Sequence, residues 1–176
     1  VELHPEWRDA EVAFRATKRI VMLAKETRHP IHILHVTSKQ EIEFLKDFRD
    51  FVSVETTPQH LTLSAPECYE RLGTLAQMNP PIRTSEHKEA LWKGLKLGHI
   101  DVLGSDHAPH TLEEKKKTYP ASPSGMTGVQ TIIPIMLDHI SQGHMSILDL
   151  VRLMGENPRR LFKIKNCSYF SRIIFT

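Results

Sequence analysis

Three short apolar runs constrain the fold more than any other feature of the chain: IHILHVT (31–37), FVSVETT (51–57) and IDVLGS (100–105). Each has strand length and is rich in β-branched residues. The first and third do not alternate cleanly between apolar and polar residues, as expected of strands covered on both faces. Helix patterns separate them. Residues 4–30 place Val12, Phe14, Ala16, Ile20, Val21, Leu23 and Ala24 at roughly helical spacing and stop at Pro30. SKQEIEFLKDF (38–48) opens with Ser38 and has Glu41 three residues on, a capping box. SAPECYERLG (64–73) predicts a short helix opened by Ser64 and closed by Gly73, and TLAQM (74–78) a short strand. TSEHKEALWKGLKLG (84–98) predicts a helix capped by Thr84 or Ser85 and stopped at Gly98. Residues 129–140 and 146–162 read as two further helices. Strands alternating with helices of this length predict βαβ units and a parallel sheet. That sheet is either an open doubly wound one or part of a (β/α)8 barrel, and both place functional residues at the C-terminal ends of strands.

The 176 residues, 40% of them hydrophobic, suit one domain with a sizeable core. A net charge of +2 and the mixed-sign run EEKKK (113–117) argue against a nucleic-acid partner, and the run reads as a solvated loop or helix start. No apolar run approaches the roughly 20 residues that span a bilayer, so no membrane role is expected. Cys68 and Cys167 lie far apart and outside any CxxC pattern, which predicts no disulfide framework and a cytoplasmic location. The chain begins at Val1 rather than Met, so further sequence upstream is expected.

Eleven histidines exceed what composition leads one to expect. His4, His29, His87, His99, His139 and His144 lie in polar or loop-like contexts and read as surface residues. His35 and Asp106 each follow an apolar run as the chain exits it, and imidazole with carboxylate suits zinc or a similar divalent ion. His32, three residues before His35, is expected on the opposite face as a packed or hydrogen-bonded core histidine. In GSDHAPH (104–110), Asp106 could bind metal and shuttle a proton, His110 could reach a substrate anion, and His107 could orient neighbours. In MNPP (78–81), two prolines stiffen the chain after Asn79, whose amide both donates and accepts. SGMTG (124–128) could present backbone N–H groups to a ligand, because glycine permits close approach. No G-x-G-x-x-G or Walker-type loop is present.

Taken in order, HILHVT, VETTPQHL, MNPPIRTSEHKEALWKGL, IDVLGSDHAPHTLEEK and SGMTGVQTIIPIML closely resemble the class I dihydroorotases of the cyclic amidohydrolase superfamily. The resemblance runs from about residue 1 to 166. It implies an α/β fold, the C-terminal part of a metal-dependent-hydrolase (β/α)8 barrel. It also implies reversible hydrolysis of dihydroorotate to N-carbamoyl-aspartate at a zinc centre, commonly binuclear. Carried over by motif, His35 is a zinc ligand and Asp106 is both ligand and general acid/base. Asn79 and His110 hold the substrate, and Ser124 and Gly125 contact its ring through backbone groups. The family's H-x-H-x-R strand, carboxylated lysine and further histidine ligand have no counterpart in the 176 residues. About four strands do not close an eight-stranded barrel, so the expectation is an incomplete barrel over 1–166 that binds zinc weakly and is inactive alone. Residues 167–176, CSYFSRIIFT, form a tail without family resemblance. The alternatives are a catalytically silent scaffold associating with aspartate transcarbamoylase, or a hydantoinase or allantoinase. A homo-oligomer is also compatible with the open sheet edges that an incomplete barrel leaves.

Overall fold

The computed structural model describes residues 1–165. The tail at 167–176 lies outside the described residues. Its elements are α1 (His4–Trp7), α2 (Ala10–Thr27), β1 (Ile31–Ile33), α3 (Lys39–Leu45), β2 (Val52–Thr56), α4 (Pro58–Thr62), α5 (Glu67–Leu72), α6 (Ser85–Lys96), β3 (Val102–Leu103), α7 (Leu112–Lys115), α8 (Ile132–Ser141), α9 (Ile147–Val151) and α10 (Asn157–Leu161). No helix among the described residues is long and apolar enough to cross a membrane.

β1, β2 and β3 form a parallel sheet in that order, with Ile31 opposite Val52 and Glu55 opposite Val102. Parallel neighbours require a crossover, and helices supply it on one face. Val52 and Val54 of β2 are buried on that face. They join a core with Val21 of α2, Ile42 and Leu45 of α3, and Leu91 and Leu95 of α6. The other face is polar beside β1. His32 Nδ1 meets the Ser53 hydroxyl at 2.7 Å, and Nε2 meets the Glu55 carboxylate at 3.4 Å. Glu55 lies directly over Gly104, where a Cβ would stand 2.3 Å from its carboxyl carbon. At the opposite end of the strands, Arg49 donates to both oxygens of Asp101 at 2.6 Å, and Val54 N–H donates to Asp101 at 2.8 Å.

Local signals set most boundaries. α2 starts where Asp9 accepts from Val12 N–H at 2.7 Å, and ends at Arg28 in the left-handed region. α3 has the expected capping box, with Ser38 and Glu41 exchanging hydrogen bonds. Glu41 also accepts the Thr17 hydroxyl at 2.7 Å, so the cap joins α3 to α2. Replacing Ser38 with alanine is expected to cost about 1 kcal/mol, read by chemical denaturation.

Two expectations differ from the structure. TLAQM is no strand: residues Gly73–Ala76 form a tight 3₁₀ turn. The polar groups of this segment pair elsewhere, Thr74 with the Lys115 carbonyl and the Gln77 side chain with the Ser122 carbonyl. α5 begins at Glu67 after Pro66 rather than at Ser64. Ala65 N–H is drawn to the Arg83 carbonyl at 2.8 Å, a tertiary bond that competes with an earlier helix start.

Candidate active site

The C-terminal ends of β1 and β3 each release the chain through a strained residue. After β1 the backbone turns at His35 with φ 35°, and Val36 N–H returns to the Glu55 carbonyl at 2.8 Å. After β3, Gly104 N–H bonds the Thr56 carbonyl at 3.0 Å, and the chain turns at Asp106 with φ 42°. Left-handed backbone is rare for residues other than glycine, and it concentrates at functional sites. β2 lies between the two ends, which places them roughly 10 Å apart at one edge of the sheet.

Asn79 enters from the loop after α5. It lines a cavity of about 250 Å³ together with His35, Arg8, Pro80 and Arg83. The carbonyls on both sides of Asn79 are held by buried histidines. His60 Nε2 donates to the Pro80 carbonyl at 3.0 Å, so its Nδ1 accepts the Thr57 hydroxyl at 2.7 Å. Burial lowers the His60 pKa to about 4 and keeps the ring neutral. His4 Nε2 donates to the Met78 carbonyl at 2.9 Å, and burial lowers its pKa as well.

DHAPH and SGMTG lie against each other. Ala108 N–H donates to the Met126 carbonyl at 3.0 Å, and His107 Nδ1 accepts Gly128 N–H at 3.0 Å. His107 therefore orients the glycine loop. Gly125 N–H donates to the Gln77 carbonyl at 2.9 Å, while the Gln77 side chain donates to the Ser124 hydroxyl at 3.1 Å. A Cβ on Gly125, whose φ is 152°, would stand 2.6 Å from the Ala108 carbonyl oxygen and 3.1 Å from the His110 ring. The constraint at Gly128 is tighter, with a Cβ only 2.3 Å from the Ser105 carbonyl oxygen. Gly128→Ala is expected to cost about 3 kcal/mol by overpacking, since backbone rather than a mobile side chain must move. Thermal unfolding would measure it.

His110, Ser124 and Gly125 thus form one cluster. Asn79 adjoins it through Gln77, two residues earlier in the chain, and shares a cavity with His35. Asp106 is half-buried at the start of the same DHAPH turn. His35 and Asp106 are donors of a kind that suits zinc, but a catalytic zinc needs three protein ligands. Among the described residues, no three His, Cys, Asp or Glu side chains come together as a metal site. The described residues do not build a zinc centre by themselves.

Several polar residues are less exposed than their sequence context predicts. His4 and His139 are buried, whereas a surface position is expected for both. His139 is held by the Thr62 hydroxyl at 2.9 Å and by His144, and it packs edge-on against Trp92. Lys115, within the supposedly solvated EEKKK run, is 5% exposed. His60 carried a weak sequence signal, its place three residues after the strand-like run FVSVETT. His4 and Lys115 carried none, because the partners that enclose them, Met78 for His4 and Gln77, Pro123 and Gly125 for Lys115, lie outside any local pattern.

No family model matches the chain. Among curated proteins it is similar to a dihydroorotase of Pyrococcus horikoshii, at 40% identity over 167 residues, 94% of this chain and 38% of the relative. A dihydroorotase of Lactococcus lactis is 37% identical over 145 residues, 80% of this chain and 34% of the relative. Among solved structures, an L-hydantoinase (dihydropyrimidinase) from Arthrobacter aurescens aligns with a TM-score of 0.81 at 33% identity, covering 86% of this chain and 35% of that one. A dihydropyrimidinase from Brevibacillus agri aligns with a TM-score of 0.84 at 23% identity, a likeness of fold, over 92% of this chain and 37% of that one. The described sheet and helices are therefore part of a (β/α)8 barrel of the cyclic amidohydrolase type.

Proposed function

This chain is a relative of the dihydroorotases spanning about 38% of the length of those first compared, and on that premise we propose that it supplies one side of a site interconverting dihydroorotate and N-carbamoyl-aspartate. The chain of contacts from DHAPH to SGMTG, and from SGMTG to Gln77 at the base of the Asn79 loop, carries the reading, because it joins three separated segments at one edge of the sheet.

Dihydroorotate carries a carboxylate on a cyclic amide, so its site must hold an anion and move one proton. Asn79 and His110 hold the carboxylate, and the adjoining cavity is lined by two cations, Arg8 and Arg83, and one carboxylate, Asp9. Ser124 and Gly125 are assigned to the ring, with Gly125 N–H and carbonyl already held by Gln77 and Lys115 and its missing side chain leaving room for Ala108 and His110. Asp106 takes a proton from the attacking water and returns it to the ring nitrogen as the amide bond breaks. Zinc is the metal we assign to this chemistry, where it would polarise the ring carbonyl. His35 and Asp106 would be this chain's contribution to it, with the remaining ligands from beyond the described residues.

The test is a comparison of substrates by the protein in its full native length. Dihydroorotate is expected to exceed hydantoin, dihydrouracil and allantoin in kcat/KM by at least about a hundredfold, since a site built to pair a carboxylate rejects a ring lacking one. Faster turnover of hydantoin or dihydrouracil would sink this reading in favour of a hydantoinase.

A further inference from the structure

The first lysine of EEKKK closes α7 and faces inward. Lys115 Nζ donates to the carbonyls of Gln77 at 2.8 Å, Pro123 at 3.0 Å and Gly125 at 3.0 Å, which uses all three of its N–H bonds. Its register follows from the capping box of α7. Glu114 turns back to Thr111 N–H at 2.8 Å, and the next residue points into the protein. Among the described residues, no carboxylate lies within ion-pairing distance of Lys115. Carbonyl dipoles solvate the ammonium but leave its charge uncompensated, an arrangement that is costly unless an anion offsets it.

The three carbonyls belong to the two segments that matter for recognition. Gln77 leads into Asn79, while Pro123 and Gly125 flank Ser124. Gly125 N–H closes the circuit on the Gln77 carbonyl at 2.9 Å, and Gly125 packs against the ring of His110. The ammonium thus anchors the segment that leads into Asn79 and the Ser124–Gly125 segment that lies beside His110.

We infer that Lys115 is a positioning residue for an anionic ligand, holding the Gln77 and Ser124–Gly125 segments in register and supplying the positive charge that selects a carboxylate at Asn79 and His110. The inference rests on the reading of those residues as the carboxylate site. Lys115→Met keeps an unbranched side chain of nearly the same length and removes the charge.

Three probes separate the outcomes, each followed through the NMR resonances of Ser124 and His110 in the full native chain. They are dihydroorotate, dihydrouracil (the same ring without the carboxylate) and acetate (a carboxylate without the ring). Lys115→Met is expected to weaken dihydroorotate and acetate at least about tenfold and dihydrouracil less than about twofold. A lysine with only a structural role would weaken both ring compounds alike, and that result overturns the inference. Unchanged carboxylate affinity overturns it too. Acetate binding that disappears in the variant, with neither ring compound binding the unmodified chain, upholds Lys115 and sinks the dihydroorotate reading. If no carboxylate moves these resonances in the unmodified chain, the inference falls. Should Lys115→Met fail to fold, the Lys115 Nζ resonance of the unmodified protein decides. It is expected to shift as acetate saturates the site, and an unmoved resonance overturns the inference.

Discussion

On the proposed reading, Asp106→Asn in the protein at its full native length is expected to lower the turnover of dihydroorotate by about a thousandfold, in both directions, while the protein keeps its fold. Loss of a positioned general acid/base typically costs 10²–10⁴-fold. The amide is nearly isosteric with the carboxylate but cannot accept the proton of the attacking water. Asparagine also tolerates the left-handed backbone that Asp106 adopts at φ 42°. The turn into DHAPH is therefore retained, and the loss reports on the carboxylate's proton transfer and metal binding rather than on a displaced loop. Steady-state rates of ring opening and ring closure, with a thermal unfolding curve as control, would measure it. A variant that keeps more than a tenth of the activity would remove Asp106 from the proton path.

The second large effect is a loss of stability in mild acid. The His60 pKa is lowered to about 4 in the folded chain by burial, against 6.5 for an ordinary histidine. The unfolded chain thus binds a proton first as the pH falls, and stability is fully present above pH 6.5. It declines as the pH drops from 6.5 to 4, and the contribution of this group is exhausted below that. The difference corresponds to a loss on the order of 3 kcal/mol. His4, His87 and His139 are shifted in the same direction, each chiefly by burial, and add to the slope. His60→Gln is expected to flatten part of the slope in urea titrations across this range. At neutral pH, His60→Ala should cost about 3 kcal/mol, because it leaves a void and strips the Pro80 carbonyl and Thr57 hydroxyl of their partner. An unaltered pH profile in His60→Gln would show that the acid lability arises elsewhere.

The acid slope and the candidate site share an origin. His60 and His4 pin the carbonyls on either side of Asn79, and each does so as a neutral ring. Protonating either still leaves a ring nitrogen free to donate, but it places a cation in a buried setting. Loosening of the Asn79 loop in acid should therefore accompany the loss of stability, and would show as weaker ligand binding.

Periodicity and caps were sufficient for the three strands of the parallel sheet and for the starts of α3 and α6, because these depend on residues within four positions of one another. The segments proposed to carry the chemistry were legible for the same reason, since HVT, NPP, DHAPH and SGMTG are contiguous. Tertiary structure decided what those segments meet. A capping signal marks Thr111 and Glu114 but not whether Lys115 beyond them is solvated or enclosed by three carbonyls. The setting of His4 beside Met78, and of Gln77 between Ser122 and Gly125, likewise depends on loops that approach only after β1, β2 and β3 are side by side. Burial of a polar group is a property of that approach, since the partners offsetting its desolvation come from remote segments, and no local pattern records them.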